Sequence, residues 1–225
     1  MSRPETFDDA ILRGEYPLDF VQPESSQRFV LEILVARTRA LGPALRILEC
    51  GCGNGGWLAL LAQVLPDALD HSFYGFDIST EMVTLARTRL RDLVPGARIQ
   101  VGSVLMDDAY EFDGSDGSFD LIFAYDLVQQ IPRSLQASAC EAMVKRLSSK
   151  GSLIIFDHER FSLHGARMGF KKLVTRITGL PLVPRYFCEA RYPSLESLKR
   201  RMVALGRTVE TRRSTLSPKM ALVVR

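Results

Sequence analysis

The chain has 225 residues, of which 46% are hydrophobic and 24% are charged, and its net charge is +3. This composition is typical of a globular domain, and it excludes a disordered chain and one that needs disulfides to fold. No run of about 18 apolar residues is present, and the N-terminus carries acidic residues early and no apolar signal core. We therefore expect a cytoplasmic protein.

The charge is divided unevenly along the chain. Residues 1–158 contain 14 Lys/Arg and 22 Asp/Glu, a net charge of −8, whereas residues 159–225 contain 15 and 4, a net charge of +11. A basic last third is typical of proteins that meet an anionic substrate, a membrane surface or a nucleic acid. It also fits a solvated face that balances an acidic front half.

The four cysteines are not spaced like metal ligands. They form no CxxC pair and no zinc-like pattern, because two of them lie close together and the other two are far apart in the sequence. We expect buried, reduced thiols and no metal site. The residues are Cys50, Cys52, Cys140 and Cys188.

Apolar residues follow helical and strand spacings in alternation, and Gly or Pro residues end several of the helical segments. In chain order the pattern predicts helix 24–41, strand 45–50, helix 57–65, strand 72–77, helix 81–93, strands 98–101 and 119–124, helix 134–147, strand 152–156, helix 194–205, and strands 208–215 and 220–224. Alternating units of this kind predict an α/β, doubly wound fold with a mostly parallel seven-stranded sheet. A tight link at 217–219 predicts an antiparallel hairpin at its C-terminal end.

The residues that follow the first two strands predict a nucleoside-cofactor site. Ligands of open parallel sheets bind at the carboxyl ends of the strands. After the first strand, Gly51, Gly53 and Gly55 permit a sharp turn and close backbone approach to a ligand. After the second strand, the Asp77 carboxylate can accept hydrogen bonds from both hydroxyls of a ribose.

Two cofactors fit this turn. Gly51-x-Gly53-x-x-Gly56, with Asp77 further on, matches the dinucleotide fingerprint. The tighter pattern Glu49-x-Gly51-x-Gly53-x-Gly55 resembles motif I of the class I methyltransferases that depend on S-adenosylmethionine (SAM). The resemblance continues at 76–79, 101–104, 119–132 and 151–155, and it covers residues 45–158 and 192–225. Because the motifs occur in the family's order and spacing, the resemblance favours SAM over a nicotinamide cofactor.

The resemblance implies SAM-dependent methylation of an O, N or C atom of a small-molecule acceptor, and a role for each strand end. The glycine turn would shape the methionine pocket, Asp77 would bind the ribose, and Ala124 would lie beside the sulfonium. Alternatively, Ile78 and Val104 would only pack in the core, and Asp77 would only cap a helix or lie in a loop. The implied cofactor-binding residues are Glu49, Gly51, Cys52, Gly53, Asn54, Gly55, Asp77, Ile78, Ser103, Val104 and Ala124.

The resemblance also implies one domain, 1–225. Within it, residues 1–44 would form an N-terminal helical cap, 45–158 the SAM-binding core, 159–191 a substrate lid insertion, and 192–225 a C-terminal helix and hairpin. No pattern in the chain predicts an oligomeric state.

The sequence departs from the family pattern at two places. Ser103 stands where an Asp commonly binds the adenine amino group, although its hydroxyl can still accept a hydrogen bond. Gln129 and Gln130 stand where many members that act on small molecules carry histidines, so the usual general base is missing. His158, after the fifth strand, is our candidate base or substrate orienter, with Asp126 or Tyr125 assisting. The alternative is that His158 only hydrogen-bonds a loop.

Residues 159–191 read as an amphipathic basic helix with apolar cover. They could form a lid over the acceptor, an interfacial helix that touches an anionic membrane through 161–180, or a lid packed on the core with a solvated basic face. Arg185 and Tyr186 could clamp an anionic acceptor, and Tyr16 and Gln130 are the other predicted substrate contacts. His71, before the second strand, is predicted to lie at the surface.

Two other functions compete with small-molecule methylation. The basic last third fits a methyltransferase that acts on RNA or another nucleic acid. Against it, Ala124-Tyr125-Asp126-Leu127 lacks the Asn/Asp-Pro-Pro-Tyr/Phe motif of amino-group nucleic-acid methylators, and the chain has no Pro-Cys nucleophile. A non-catalytic SAM-binding protein is the third alternative, and it would bind SAM without turnover.

Overall fold

The computed structural model describes residues 22–225, apart from the side chains of Arg185 and Tyr186. One seven-stranded sheet runs through this part of the chain in the order β3-β2-β1-β4-β5-β7-β6. The first five strands are parallel, and β7 lies antiparallel between β5 and β6. The predicted fold class is confirmed. The strands are β1 (Arg46–Cys50), β2 (Ser72–Asp77), β3 (Arg98–Val101), β4 (Phe119–Tyr125), β5 (Leu147–His158), β6 (Val209–Arg213) and β7 (Lys219–Val224).

Helices cover both faces of the sheet. Apolar side chains of α1, α2 and α3 pack on one face, and those of α4 and α7 pack on the other. Adjacent residues of β1 face opposite sides of the sheet. Ile47 belongs to the core cluster that contains α1, α2 and α3, and Leu48 belongs to the cluster that contains α4 and α7. No helix within residues 22–225 is both long and apolar enough to cross a bilayer. The helices are α1 (Glu24–Leu41), α2 (Gly56–Val64), α3 (Thr80–Leu90), α4 (Arg133–Lys145), α5 (Leu163–Thr178), α6 (Arg185–Cys188) and α7 (Leu195–Ala204).

Strand β5 is the element that differs most from its predicted length. We expected residues 152–156, but the strand spans Leu147–His158. The first part of the strand is polar at 148–150, so the sequence has no apolar run there that would predict a strand. This part pairs with the start of β4, and the register shifts between the two parts of the pairing. The extension carries the strand to His158 at the carboxyl edge of the sheet.

The prediction for His71 was wrong. The side chain is buried, and its Nδ1 accepts a hydrogen bond of 3.1 Å from the backbone N–H of Leu45. The imidazole ring also meets the ring of Phe73 edge-on at 6.4 Å. A polar residue before a strand normally remains solvated, but here it satisfies a buried backbone donor next to the start of β1.

Asp120 joins the starts of three neighbouring strands. Its Oδ2 accepts hydrogen bonds from the backbone N–H of Arg46, at 2.9 Å, and from Nε of the same residue, at 3.3 Å. Its Oδ1 accepts one of 2.7 Å from the Ser148 hydroxyl. Burial alone raises the pKa of Asp120, but the bonds from Arg46 and Ser148 outweigh it and lower the pKa below the ordinary 3.8.

We expect Asp120→Asn to lower the free energy of unfolding by about 1 kcal/mol at neutral pH, a value reduced by the partial exposure of the pair. A lowered pKa in the folded state contributes stability above the ordinary pKa, and this contribution is lost as the pH falls through the folded value. Urea unfolding at neutral and acidic pH measures both effects. Asp92→Asn, at an exposed position after α3, is the control, and an equal loss in both variants would contradict the assignment.

Candidate functional site

The carboxyl ends of β1, β2, β4 and β5 meet at one edge of the sheet, where the strand order reverses between β1 and β4. A glycine turn follows β1, and Gly51, Gly53 and Gly55 have φ values of +71°, +50° and +73°. The backbone N–H groups of Gly51 and Cys52 donate to the Phe76 carbonyl at 2.8 and 2.9 Å. These bonds fix the turn against the end of β2.

The three glycines of the turn differ in what surrounds them. A Cβ on Gly55 would lie 3.0 Å from Cβ of Ala86 on α3, and one on Gly51 would lie 2.8 Å from Cδ1 of Leu127. A Cβ on Gly53 would meet no atom within 4 Å in the described part of the chain. Gly51 and Gly55 therefore serve packing within the protein, whereas Gly53 exposes bare backbone to open space. Among the three glycines, Gly53 is therefore the one beside which the described residues leave room for a ligand.

Asp77 connects the end of β2 to this turn. Its Oδ2 accepts a hydrogen bond of 2.8 Å from the Gly53 N–H, and its Oδ1 accepts one of 3.0 Å from the Ser79 N–H. Ser79 is the residue that caps α3, because its hydroxyl accepts from the Met82 N–H at 3.3 Å. Asp77 is thus not the cap, and its carboxylate holds the open glycine in place.

Glu49 is a buried carboxylate at the end of β1. Only 1% of the residue is exposed, and its Oε2 has no hydrogen-bond partner within residues 22–225. Burial and the charge of Asp77 raise the pKa of Glu49 well above 4.5, and a hydrogen bond from the Leu58 backbone opposes them. A cationic group of a ligand that reached this buried carboxyl group would stabilise its ionised form.

The remaining cofactor candidates divide by exposure. Ile78 is 70% exposed beside the turn, whereas Val104 is only 5% exposed and belongs to the core. The Cys52 side chain is buried, and its Sγ would lie 3.1 Å from a Cβ at Gly75. Asn54 Oδ1 accepts from Nη1 of Arg89 at 2.7 Å and so supports the turn from outside.

The end of β4 carries an aromatic and charged group. Tyr125 packs on Trp57 with ring centroids 4.7 Å apart, and its hydroxyl is 3.0 Å from Oε1 of Gln22. Asp126 has a φ of +55°, a conformation that Asp tolerates better than most residues. Its carboxylate forms an ion pair with Nζ of Lys219, which also lies 4.5 Å from the centre of the Tyr125 ring.

Asp157 lies beneath this group and is fully buried. Its Oδ2 accepts a hydrogen bond of 3.0 Å from the Gln129 N–H, and its Oδ1 accepts one of 2.7 Å from the His158 N–H. Burial and the charge of Asp126 raise the pKa of Asp157, while Lys219 opposes them. The carboxyl group fixes the backbone that follows β4 to the end of β5.

His158 belongs to a stack of rings at the end of β5. Its ring lies 4.6 Å from that of His164 with an interplanar angle of 22°, and 4.9 Å from that of Tyr192. Burial and the charges of Lys219 and His164 lower the pKa of His158 to about 2. Its Nδ1 is buried without a hydrogen-bond partner within residues 22–225. The imidazole is neutral at physiological pH and can accept a hydrogen bond.

Known proteins resemble this chain over the same elements. A sequence profile described as "Methyltransferase domain" matches residues 47–151, which contain the glycine turn, Asp77 and the β4 motif. The match covers just under half of the chain and supports a class I SAM-dependent methyltransferase. Among curated relatives, protein-L-isoaspartate O-methyltransferase of Nitrobacter winogradskyi is 30% identical over 129 residues, which are 57% of this chain and 51% of the relative. The chain therefore spans about half the length of that relative.

Solved methyltransferase structures share the whole fold at low identity. Magnesium protoporphyrin IX methyltransferase from Synechocystis, determined with bound S-adenosylhomocysteine (SAH), has a TM-score of 0.62 at 18% identity. The match covers 100% of this chain and 90% of that one. The CurJ carbon methyltransferase has a TM-score of 0.66 at 17% identity, over 96% of this chain and 62% of that one. At these identities the likeness concerns the fold.

The methyltransferase fold brings together most of the predicted site residues, and their roles stay predictions. Gln130 is partly buried in the turn after β4, and its N–H donates to the Leu127 carbonyl at 2.9 Å. Ser103 follows β3 with its hydroxyl 3.4 Å from the Leu105 N–H, and Ala124 is fully buried in β4. Tyr16 lies outside the described residues, as do the side chains of Arg185 and Tyr186 on α6.

The sequence interpretation missed Lys219, Asp157 and Tyr192. None of these residues lies in a family motif quoted above, and Lys219 reaches Asp126 only because β7 pairs with β5 and places it opposite His158. A lysine at the start of an otherwise apolar strand was the one available signal, since alternation assigns it to a buried position. Asp157 and Lys219 join the end of β5 to the turn that follows β4, and Tyr192 packs against the ring of His158.

We expect Glu49→Gln to stabilise the protein at neutral pH. Because the pKa of Glu49 is raised in the folded state, the unfolded chain releases this proton more readily, so the wild-type protein loses stability as the pH rises above about 4.5. Glutamine removes this loss. The melting temperature should rise by about 2–4 °C, the shift for 1 kcal/mol in a domain of this size. The gain should vanish below the ordinary pKa of Glu49, and an equal gain at acidic pH would refute the assignment.

We expect the ring of His158 to remain neutral through the physiological range. Its pKa of about 2 lies below the ordinary 6.5, so the unfolded chain binds a proton that the folded protein does not. The stability contribution of neutral His158 is therefore lost progressively as the pH falls below 6.5. NMR of the ring nitrogens across this range should show no titration of His158. The prediction would be contradicted by a titration with a midpoint near pH 6.5 that is present in the wild-type protein and absent from His158→Gln.

Proposed function

We propose that the chain is an enzyme that transfers a methyl group from SAM to a small-molecule acceptor. The open glycine turn supports this proposal most directly, because Gly53 leaves bare backbone facing space while the Asp77 carboxylate holds it from behind. Gly51 and Gly55, by contrast, have protein atoms 2.8 and 3.0 Å from a built Cβ. The solved relative that binds SAH has the same fold.

The residues around the turn fit the chemical groups of SAM. The buried Glu49 carboxyl would face the methionine ammonium, whose charge would favour the ionised form and so oppose the rise in pKa that burial causes. Asp77 would accept hydrogen bonds from the ribose, and the exposed side chain of Ile78 would cover one face of the adenine. When bound, SAM supplies a positively charged sulfonium that carries the methyl group to be transferred.

The acceptor would bind between the ends of β4 and β5. Tyr125 and Asp126 lie on one side, held by Lys219, and the stack of His158, His164 and Tyr192 lies on the other. This edge contains flat rings, a buried imidazole acceptor and an ion pair, so it suits a flat molecule that carries a hydrogen-bond donor.

His158 would orient the acceptor instead of acting as a strong base. A group with a pKa of about 2 gains little from taking a proton near neutral pH. Its unpartnered Nδ1 can nevertheless accept a hydrogen bond from an acceptor hydroxyl or amine and direct the lone pair of that atom toward the methyl group. His158 would therefore position the acceptor atom for its approach to the methyl group.

The cofactor site is tested by Gly53→Ala. An alanine at the φ of Gly53 costs about 1 kcal/mol in folding, and its methyl group would occupy the space into which the ligand must come. We expect the wild-type protein to bind SAH and the variant to bind it at least about tenfold more weakly, because the close approach to the turn is lost. Isothermal titration calorimetry measures both affinities.

Gly206→Ala is the matched control. Gly206 has a φ of +79° and likewise no atom within 4 Å of a built Cβ, but it ends α7 away from the turn. The control should lose similar stability and keep its affinity for SAH. A wild-type protein that does not bind SAH, or equal loss of affinity in both variants, would overturn the proposal.

A further inference from the structure

Helix α5 presents its apolar side chains to solvent. Leu163 is 89% exposed, Phe170 67%, Leu173 54% and Ile177 74%. Phe161 before the helix is 74% exposed, and Leu180 after it is 53% exposed. Soluble proteins rarely leave so many large apolar side chains uncovered along one element.

The exposed residues form one stripe. At 100° per residue, positions 163, 170, 173 and 177 fall within an arc of about 80° on the helix surface. The opposite side carries Gly165, Met168 and Lys172, which are buried or half-buried. The usual arrangement of a surface helix is therefore reversed, with the apolar face outward.

Contacts on the inner side fix this orientation. Gly165 packs so closely that a Cβ would lie 2.4 Å from the Arg160 carbonyl oxygen. Nζ of Lys172 donates a hydrogen bond of 2.6 Å to the Ala190 carbonyl and lies 4.5 Å from the centre of the Phe187 ring. Arg176 forms an ion pair of 2.9 Å with Glu189. The apolar stripe cannot rotate inward without breaking these contacts.

Basic side chains accompany the stripe. Arg167 is exposed and Lys171 is half-buried on the helix beside it, and Arg160 lies next to Phe161 at the N-terminal end. The 159–191 segment contains seven Lys/Arg and two Asp/Glu, so a negatively charged partner would be attracted to this side of the molecule. An apolar stripe bordered by cations matches the chemistry of an anionic lipid surface, which offers acyl chains beneath phosphate groups.

We propose that α5, with Phe161 and Leu180 at its ends, docks the protein on anionic lipid membranes. The helix lies in the interface, with Phe170 and Ile177 entering the acyl region and Arg167 and Lys171 at the headgroups. His164, on the same helix, contacts His158 at the end of β5, so docking places that edge of the sheet next to the lipid. The surface is separate from the glycine turn, and membrane binding does not depend on SAM.

The test is sedimentation with vesicles of phosphatidylcholine and phosphatidylglycerol. We expect the wild-type protein to co-sediment with mixed vesicles at low ionic strength, and less at high ionic strength or with phosphatidylcholine alone. Phe170→Gln/Ile177→Gln should lower the partition coefficient by about tenfold or more, because two exposed apolar anchors are lost. Arg167→Gln/Lys171→Gln should weaken binding to the mixed vesicles and reduce its dependence on salt.

Leu69→Gln/Val203→Gln is the matched control. These residues are 77% and 52% exposed but lie outside the stripe, and the variant should bind vesicles as the wild type does. Absence of vesicle binding, or an equal loss in the control, overturns the proposal. It is also overturned if light scattering shows a dimer that Phe170→Gln/Ile177→Gln dissociates while vesicles bind neither protein. SAH calorimetry on every variant shows that the glycine turn is intact, so failure here is distinct from failure of the proposed methyl transfer.

Discussion

The hydrogen bond from the Gly53 N–H to the Asp77 carboxylate connects the two strands on which the candidate cofactor site is built. The turn after β1 contains three residues in the left-handed region, and without fixed partners such a segment would sample many conformations. The carbonyl of Phe76 and the carboxylate of Asp77 restrict it from the β2 side. Because every residue of β1 pairs with a residue of β2, the register of the sheet determines where bare backbone faces a ligand.

The site retains several buried ionisable groups that packing alone would not favour. Glu49 and Asp157 are both almost fully buried, and the pKa of each is raised by burial. Lys219 lies among apolar residues of β7 and is compensated by Asp126, which itself has a strained backbone. Buried ionic groups of this kind contribute little net stability compared with apolar residues of similar size. Their concentration at one edge of the sheet is typical of a functional site.

The sequence predicted the elements whose signals are local. Helix α1 and strand β2 have the predicted bounds, since their caps, breaks and apolar periods all lie within the segment. The strand-end motifs also placed Glu49, Gly53 and Asp77 at one edge, because a parallel sheet brings carboxyl ends together. These predictions were correct because each depends on a pattern of residues that lie close together in the sequence.

The features that the sequence did not predict depend on distant partners. His71 is buried because it meets an unpaired N–H at Leu45, 26 residues away. Lys219 and Asp126 are separated by 93 residues and meet only through the pairing of β7 with β5. In α5 the period revealed an apolar face, but only the contacts of Lys172 and Gly165 show that this face points outward.

The position of β7 between β5 and β6 has a consequence for the order of synthesis. Lys219 enters the sheet with the last strand, opposite His158, so the ion pair with Asp126 cannot form while the ribosome is still translating the preceding segment. Until then β5 has an open edge with unpaired N–H and C=O groups, a surface prone to pairing with other chains. Strand β5 can therefore be paired on both of its edges only after β7 has been translated.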